Sequence, residues 1–118
     1  MAGACDGQAR RPSRARFVLA VVIAVAAVHV AAADRVAGRQ LAEACVPCHG
    51  ANGISVVPNA PNLAGQPEVY LTVQLRQFRS GRRPSEVMAV IAKPLSDREI
   101  DDLAAWYAAI GIAATLPR

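Results

Sequence analysis

The pattern of apolar and polar positions changes several times along this chain, and each change marks a boundary. From Phe17 to Ala33 the residues are apolar, with His29 the one polar member. From Asp34 to Cys45 the pattern becomes helical, with Val36, Leu41, Ala44 and Cys45 close to one face and Asp34 suited to the N-cap. Gly38 lies inside that helix at a cost of about 1 kcal/mol relative to alanine. It marks either close approach by another helix or a loss that tertiary contacts tolerate. Gly50 to Gly65 has no period and is rich in turn residues, among them Asn52-Gly53, Pro58, Pro61 and Asn62. A loop of that length inside a small domain is uncommon and often functional.

Helical spacing returns from Pro67 to Ser80. Pro67 fits the first helical position, Glu68 the positive end of the dipole, and Gly81 the C-terminal stop. Leu71, Leu75 and Phe78 make the buried stripe, with Val69 and Val73 at its margin. Arg76, Arg79, Arg82 and Arg83 gather at the end of this helix and read mostly as a solvated terminus, one of them being left to meet a cofactor carboxylate or a redox partner. Arg82 to Pro94 is expected as a loop or short irregular helix containing Met88. The last helix has the sharpest borders. Ser96 and Glu99 form a capping box, Leu95 and Ile100 a hydrophobic staple. Ile100, Leu103, Ala104, Tyr107 and Ile110 follow, Gly111 ends the run, and Trp106 beside the stripe reads as packing. No stretch alternates with strand period, so the pattern predicts an all-α domain with three main helices.

Within this frame, Cys45-Val46-Pro47-Cys48-His49-Gly50 carries the chemistry. Two thiols separated by two residues, followed directly by a histidine, form the attachment signature of a c-type haem. Each thiol can add across one vinyl group of the porphyrin, and the imidazole of His49 can then reach the iron from one face. Three other chemistries share part of the pattern. A redox dithiol expects a strand and a βαβ unit around it. A zinc site needs four ligands, and the remaining Cys and His are Cys5 and His29 near the N-terminus. A structural disulfide leaves His49 unexplained.

Composition sharpens the picture at the N-terminus. Arg10, Arg11, Arg14 and Arg16 precede the apolar run, and Ala31-Ala32-Ala33 closes it with small residues suited to signal peptidase. Residues 1–33 are therefore expected to be a secretory leader, with the mature chain from Asp34 to Arg118 and a periplasmic destination. The alternative is an uncleaved anchor, since 17 apolar residues lie at the lower limit for crossing about 30 Å of hydrocarbon. A membrane is a partner only in that case. Formal charge is +4 for the whole chain, but residues 34–118 hold nine basic and eight acidic side chains. The basic balance thus belongs to the leader, and nothing in residues 34–118 forms the concentrated basic stripe that nucleic-acid binding needs. An 85-residue mature domain with four aromatic residues has a limited core. A covalently held porphyrin would supply one.

A haem iron takes a second axial ligand, and Met88, 39 residues after His49, is the one thioether outside the leader. Its flexible side chain would also suit a core gap. His/Met ligation leaves no open coordination site and raises the potential. That favours electron transfer over substrate chemistry.

Residues from about Gly38 to Ala109 resemble the small bacterial class I c-type cytochromes of the monohaem, c-553-like type. The resemblance rests on the attachment hexapeptide, on Pro61-Asn62-Leu63-Ala64-Gly65-Gln66, on Met88, and on Leu95-Ser96-Asp97 leading into Leu103-Ala104-Ala105-Trp106-Tyr107. It implies the class I cytochrome c fold, three main helices and loops wrapped around one covalently bound haem c. Cys45 and Cys48 would carry the thioethers, with His49 and Met88 as axial iron ligands. The carbonyl of Pro61 would accept the second imidazole N–H. The first and last helices would cross at Gly38, near Trp106 and Tyr107. The implied function is a periplasmic electron carrier, not an enzyme, passing single electrons from a donor complex to a terminal oxidase or reductase. Competing readings are a haem subunit of a dehydrogenase or oxidase complex, and an open-site gas sensor should Met88 not ligate.

Overall fold

The computed structural model describes residues 32–117. The leader expected over residues 1–33, including Cys5 and His29, lies outside them except for Ala32 and Ala33. Five helices follow in order: α1 (Arg35–Leu41), α2 (Val46–His49), α3 (Glu68–Ser80), α4 (Glu86–Ala92) and α5 (Asp97–Ala108). A 3₁₀ turn over Ala42–Cys45 joins α1 to α2, so the chain is helical from Arg35 through the attachment motif. Among the described residues there is no strand.

Asp34 begins α1 as expected. Its Oδ1 accepts the backbone N–H groups of Val36 and Ala37 at 2.8 and 3.3 Å. Hydrophobicity alone misplaces the buried face, however. Val36 and Ala44 are exposed, whereas Gly38 and Ala42 are buried. The reason is the crossing with α5. A Cβ at residue 38 would sit 2.0 Å from the carbonyl oxygen of Asp102 and 2.9 Å from Cβ of Trp106. Only glycine lets the two backbones meet there. Position 36 then points away from the contact, and valine is left in solvent.

Helix α5 is the spine of the core. Its capping box is complete: Ser96 Oγ accepts the Glu99 N–H at 3.2 Å, and Glu99 Oε2 accepts the Ser96 N–H at 2.8 Å. Ile100 and Ala104 are fully buried, and Leu103, Ala104 and Tyr107 meet Ala42 of the 3₁₀ turn and Leu71 of α3. The helix stops at Ala108, with Ala109 as its cap, ahead of the expected Gly111. One charge is buried with it. Asp102 accepts the backbone N–H of Asp34 at 2.6 Å and the guanidinium of Arg98 at 3.0 Å.

Helix α3 runs one residue shorter than expected, because Pro67 serves as its N-cap in extended conformation. Gly81 closes it in the left-handed region at φ 76°, a shape glycine adopts at no steric cost. Its arginines are less free than the sequence suggested. Arg76 pairs with Asp101 at 3.0 Å, and Arg79 donates to the Leu95 carbonyl at 2.8 Å and pairs with Asp97. The α3 terminus is thereby pinned to the start of α5, across sequence separations that leave no local signature.

The region around Met88, expected as a loop or short irregular helix, is the helical of the two. Residues 86–92 form a regular helix, α4, capped by Ser85, whose Oγ accepts the N–H of Met88 at 3.1 Å. Pro84 stops the preceding backbone from continuing a helix, and the cap then starts a new one two residues later.

Candidate haem site

A cavity of about 660 Å³ opens between α2, the proline loop, α3, α4 and α5. That is the size of a small-molecule or cofactor pocket, and its walls are mainly apolar. Leu71, Leu75 and Phe78 come from α3, Leu103 and Ala104 from α5. Every candidate residue named from the sequence lines it: Cys45, Cys48 and His49 at one wall, Pro61 in the loop, Met88 from α4.

His49 is the best-anchored of these. It is buried at the C-terminal end of α2, and its Nδ1 lies 2.8 Å from the carbonyl oxygen of Pro61. A carbonyl can only accept, so the proton sits on Nδ1 and the lone pair on Nε2. The remaining nitrogen is thus the one free to bind a metal. The loop that delivers Pro61 is itself fastened. The Leu63 and Ala64 N–H groups donate to the Gly53 carbonyl at 2.8 and 3.1 Å, and the Val56 N–H donates to that of Cys48. Gly65 is held by the carbonyl of Tyr107, which ties the loop to α5.

Cys45 and Cys48 are not joined by a disulfide. Cys48 is exposed, while burial pushes the Cys45 thiol above its ordinary value despite a favourable contact with Tyr107. The Tyr107 hydroxyl faces the same space. It is buried without a hydrogen-bond partner of good geometry among the described residues, and burial raises its pKa, so it stays neutral. An orphaned hydroxyl in an apolar pocket is costly unless something else occupies that pocket. Of the arginine cluster, Arg83 lines the cavity, stacked 4.6 Å from the Phe78 ring centre and hydrogen-bonded to Gln74.

This arrangement fits a covalently held haem. The apolar walls suit a porphyrin, and two thiols, a ring nitrogen and a thioether all line the one space. It does not suit zinc. Among the described residues, no group of three or more His, Cys, Asp or Glu side chains could hold a metal ion. Tyr107 and Arg83 are two cavity residues to which the sequence assigned no definite role in the site. Tyr107 was visible only as a core position, and Arg83 only as one of four equivalent cations.

Comparison with known proteins points the same way. The cytochrome c family profile matches residues 36–108. The chain is 47% identical over 85 residues to cytochrome c4 of Thiocapsa roseopersicina, covering 68% of this chain and 44% of that protein. It is 43% identical over 93 residues to the thiosulfate dehydrogenase electron acceptor of Thiomonas intermedia (strain K12), covering 78% and 43% respectively. The crystal structure of reduced recombinant cytochrome c4 from Pseudomonas stutzeri superposes with a TM-score of 0.64 at 36% identity, over 68% of this chain and 47% of that one. The chain therefore spans less than half the length of each of these three relatives. It belongs to the cytochrome c family, has the all-α fold of the class I cytochromes, and is built for a covalently bound haem c.

Proposed function

We propose that this cytochrome c domain carries single electrons between protein redox partners through one haem c. One observation carries the reading: both thiols, the free nitrogen of His49 and the thioether of Met88 open onto the same apolar cavity. Cys45 and Cys48 would form the thioether bonds, and His49 and Met88 would hold the iron. The haem iron supplies a one-electron couple. The chain's own residues do the rest. Pro61 fixes the imidazole through Nδ1–H and raises its basicity. Met88 would supply the second ligand to the iron, which would leave no position for a substrate. Leu71, Leu75, Phe78 and Leu103 exclude water and hold their shape, which keeps reorganisation small. Arg83 is the cation placed to meet a carboxylate of the bound group. Residues 1–33 act as a cleaved secretory leader, residues 34–118 form the cytochrome domain, and the protein works in the periplasm.

The test is the holoprotein made from the full chain with c-type haem attachment. Its intact mass should equal the polypeptide plus one haem, the pigment should survive denaturation, and the reduced protein should not bind carbon monoxide promptly at neutral pH. Prompt binding would favour an open iron and the sensor reading.

Similarity to a thiosulfate dehydrogenase electron acceptor supports a second reading, in which the same domain serves as the haem subunit of a dehydrogenase complex. Size-exclusion of native extract separates the two. Comigration with a large enzyme supports the subunit, and elution as a small protein supports the free shuttle.

A further inference from the structure

We propose that the α-ammonium created when the leader is removed is itself a structural group, ion-paired with the buried carboxylate of Asp102. The inference rests on the cleavage before Asp34 proposed above. The Asp34 nitrogen lies 2.6 Å from Asp102 Oδ1, and Asp102 is 4% exposed, in the middle of α5. That nitrogen has little freedom to move. The Asp34 carboxylate caps Val36 and Ala37, and its carbonyl accepts the Gly38 N–H at 2.9 Å, at the point where α1 crosses α5. Residue 34 is therefore held from three sides, with its nitrogen aimed at an acidic group that the domain has buried.

In the precursor this nitrogen is an amide, with one hydrogen and no charge. Hydrolysis of the Ala33–Asp34 bond by a leader peptidase consumes one water. It leaves the Ala33 carboxylate on the leader and a free amine on Asp34, which takes up a proton at neutral pH. Nothing else needs to move. The existing contact turns from a neutral donor to a charged one, and charge-assisted hydrogen bonds are roughly twice as strong. The charged groups around the ammonium are the carboxylates of Asp34 and Asp102 and, beyond Asp102, the guanidinium of Arg98. The helix dipole of α1 opposes a positive charge at its N-terminus. Two carboxylates within reach outweigh it. Processing and folding are thus coupled: removing the leader fastens the crossing on which the attachment wall hangs.

Lys93 is the single lysine of the chain, so a Lys93→Arg background leaves the α-amine as the one amine open to acetylation. The exported holoprotein is first weighed to establish where it starts. It is then unfolded with denaturant before and after acetylation, in that background and with Asp102→Asn added. A start at Asp34, with acetylation raising the unfolding constant by roughly tenfold, is the expected result. Asp102→Asn should shrink that effect to less than about twofold. A start elsewhere overturns both the cleavage reading and the ion pair. A start at Asp34 with no effect of acetylation overturns the ion pair alone. The acetylation comparison needs no substitution at Asp102, so it decides the matter even if Asp102→Asn does not fold.

Discussion

The two walls of the haem cavity are held in different ways. The wall bearing Cys45, Cys48 and His49 continues α1 through a 3₁₀ turn, and α1 is locked onto α5 at Gly38. Its histidine is further fixed by the Pro61 carbonyl, on a loop with several backbone hydrogen bonds of its own. The wall bearing Met88 is a seven-residue helix between Pro84 and Pro94, started by one serine cap and packed chiefly on α3. Val90 on that helix is 70% exposed. Local stability follows the density of buried contacts. The difference teaches that the two proposed ligands are held differently: His49 is part of the folded frame, whereas Met88 sits on a short helix with a single side-chain cap.

The largest test of this contrast removes an anchor from each wall. Cys45→Ala with Cys48→Ala should abolish covalent haem retention, read as loss of haem staining on a denaturing gel. Met88→Ala should keep the covalent pigment. It should lose the weak methionine-to-iron band at the red edge of the oxidised spectrum and lower the potential, within the roughly 0.8 V that axial ligation spans. Should Met88→Ala instead lose the haem, the contrast between the walls is wrong.

Next in size is the crossing itself. Gly38→Ala improves helix propensity by about 1 kcal/mol but drives a methyl group into the Asp102 backbone. A net loss of about 1–3 kcal/mol is expected from overpacking, measured by denaturant unfolding of the holoprotein. A smaller effect separates the two caps. Ser85→Ala and Ser96→Ala should each cost about 1 kcal/mol of helix stability. Only Ser85→Ala should speed displacement of Met88 by added imidazole, because Ser85 caps α4 alone. Equal acceleration by both would mean that α4 does not move independently.

The smallest effect is on acid stability. Arg79 beside Asp97 lowers that carboxyl's pKa, and hydrogen bonds from Ser96 lower that of Glu99. Groups with depressed folded values stabilise the protein above their ordinary pKa and lose that contribution as pH falls through the folded one. Both are surface groups, so a modest decline below about pH 4 is expected, reduced by salt and by Arg79→Gln. The attachment wall holds neither group and should keep its haem through this range.

Much of this was legible along the chain, and the misses have physical causes. The capping box of α5 was readable because Ser96 and Glu99 satisfy each other within four residues. Helix α4 was legible only as a loop or short irregular helix, because Ser85 lacks a reciprocal partner at the third position and seven residues between prolines carry little periodic signal. Hydrophobicity put Val36 inside α1 and gave Gly38 no direction. The crossing with α5 reversed this, since backbone contact rewards the smallest residue. The helix-end arginines looked solvated because their acidic partners lie 18 and 25 residues further on. Spacing alone singled out the attachment motif, with a redox dithiol, a zinc site and a disulfide as the alternatives. That Tyr107 would aim its hydroxyl at the Cys45 side of the cavity depends on how α5 rotates against α2, which no local pattern records.

The central claim is that His49 and Met88 close one haem between a firmly held wall and a lightly held one. The most direct measurement is the proton NMR spectrum of the reduced holoprotein. A methionine methyl held against a porphyrin face lies in its ring current, far upfield of other protein signals. The account predicts one such three-proton line, assigned to Met88 by its loss in Met88→Ala. A reduced spectrum without that line, or one in which it survives the substitution, would contradict it.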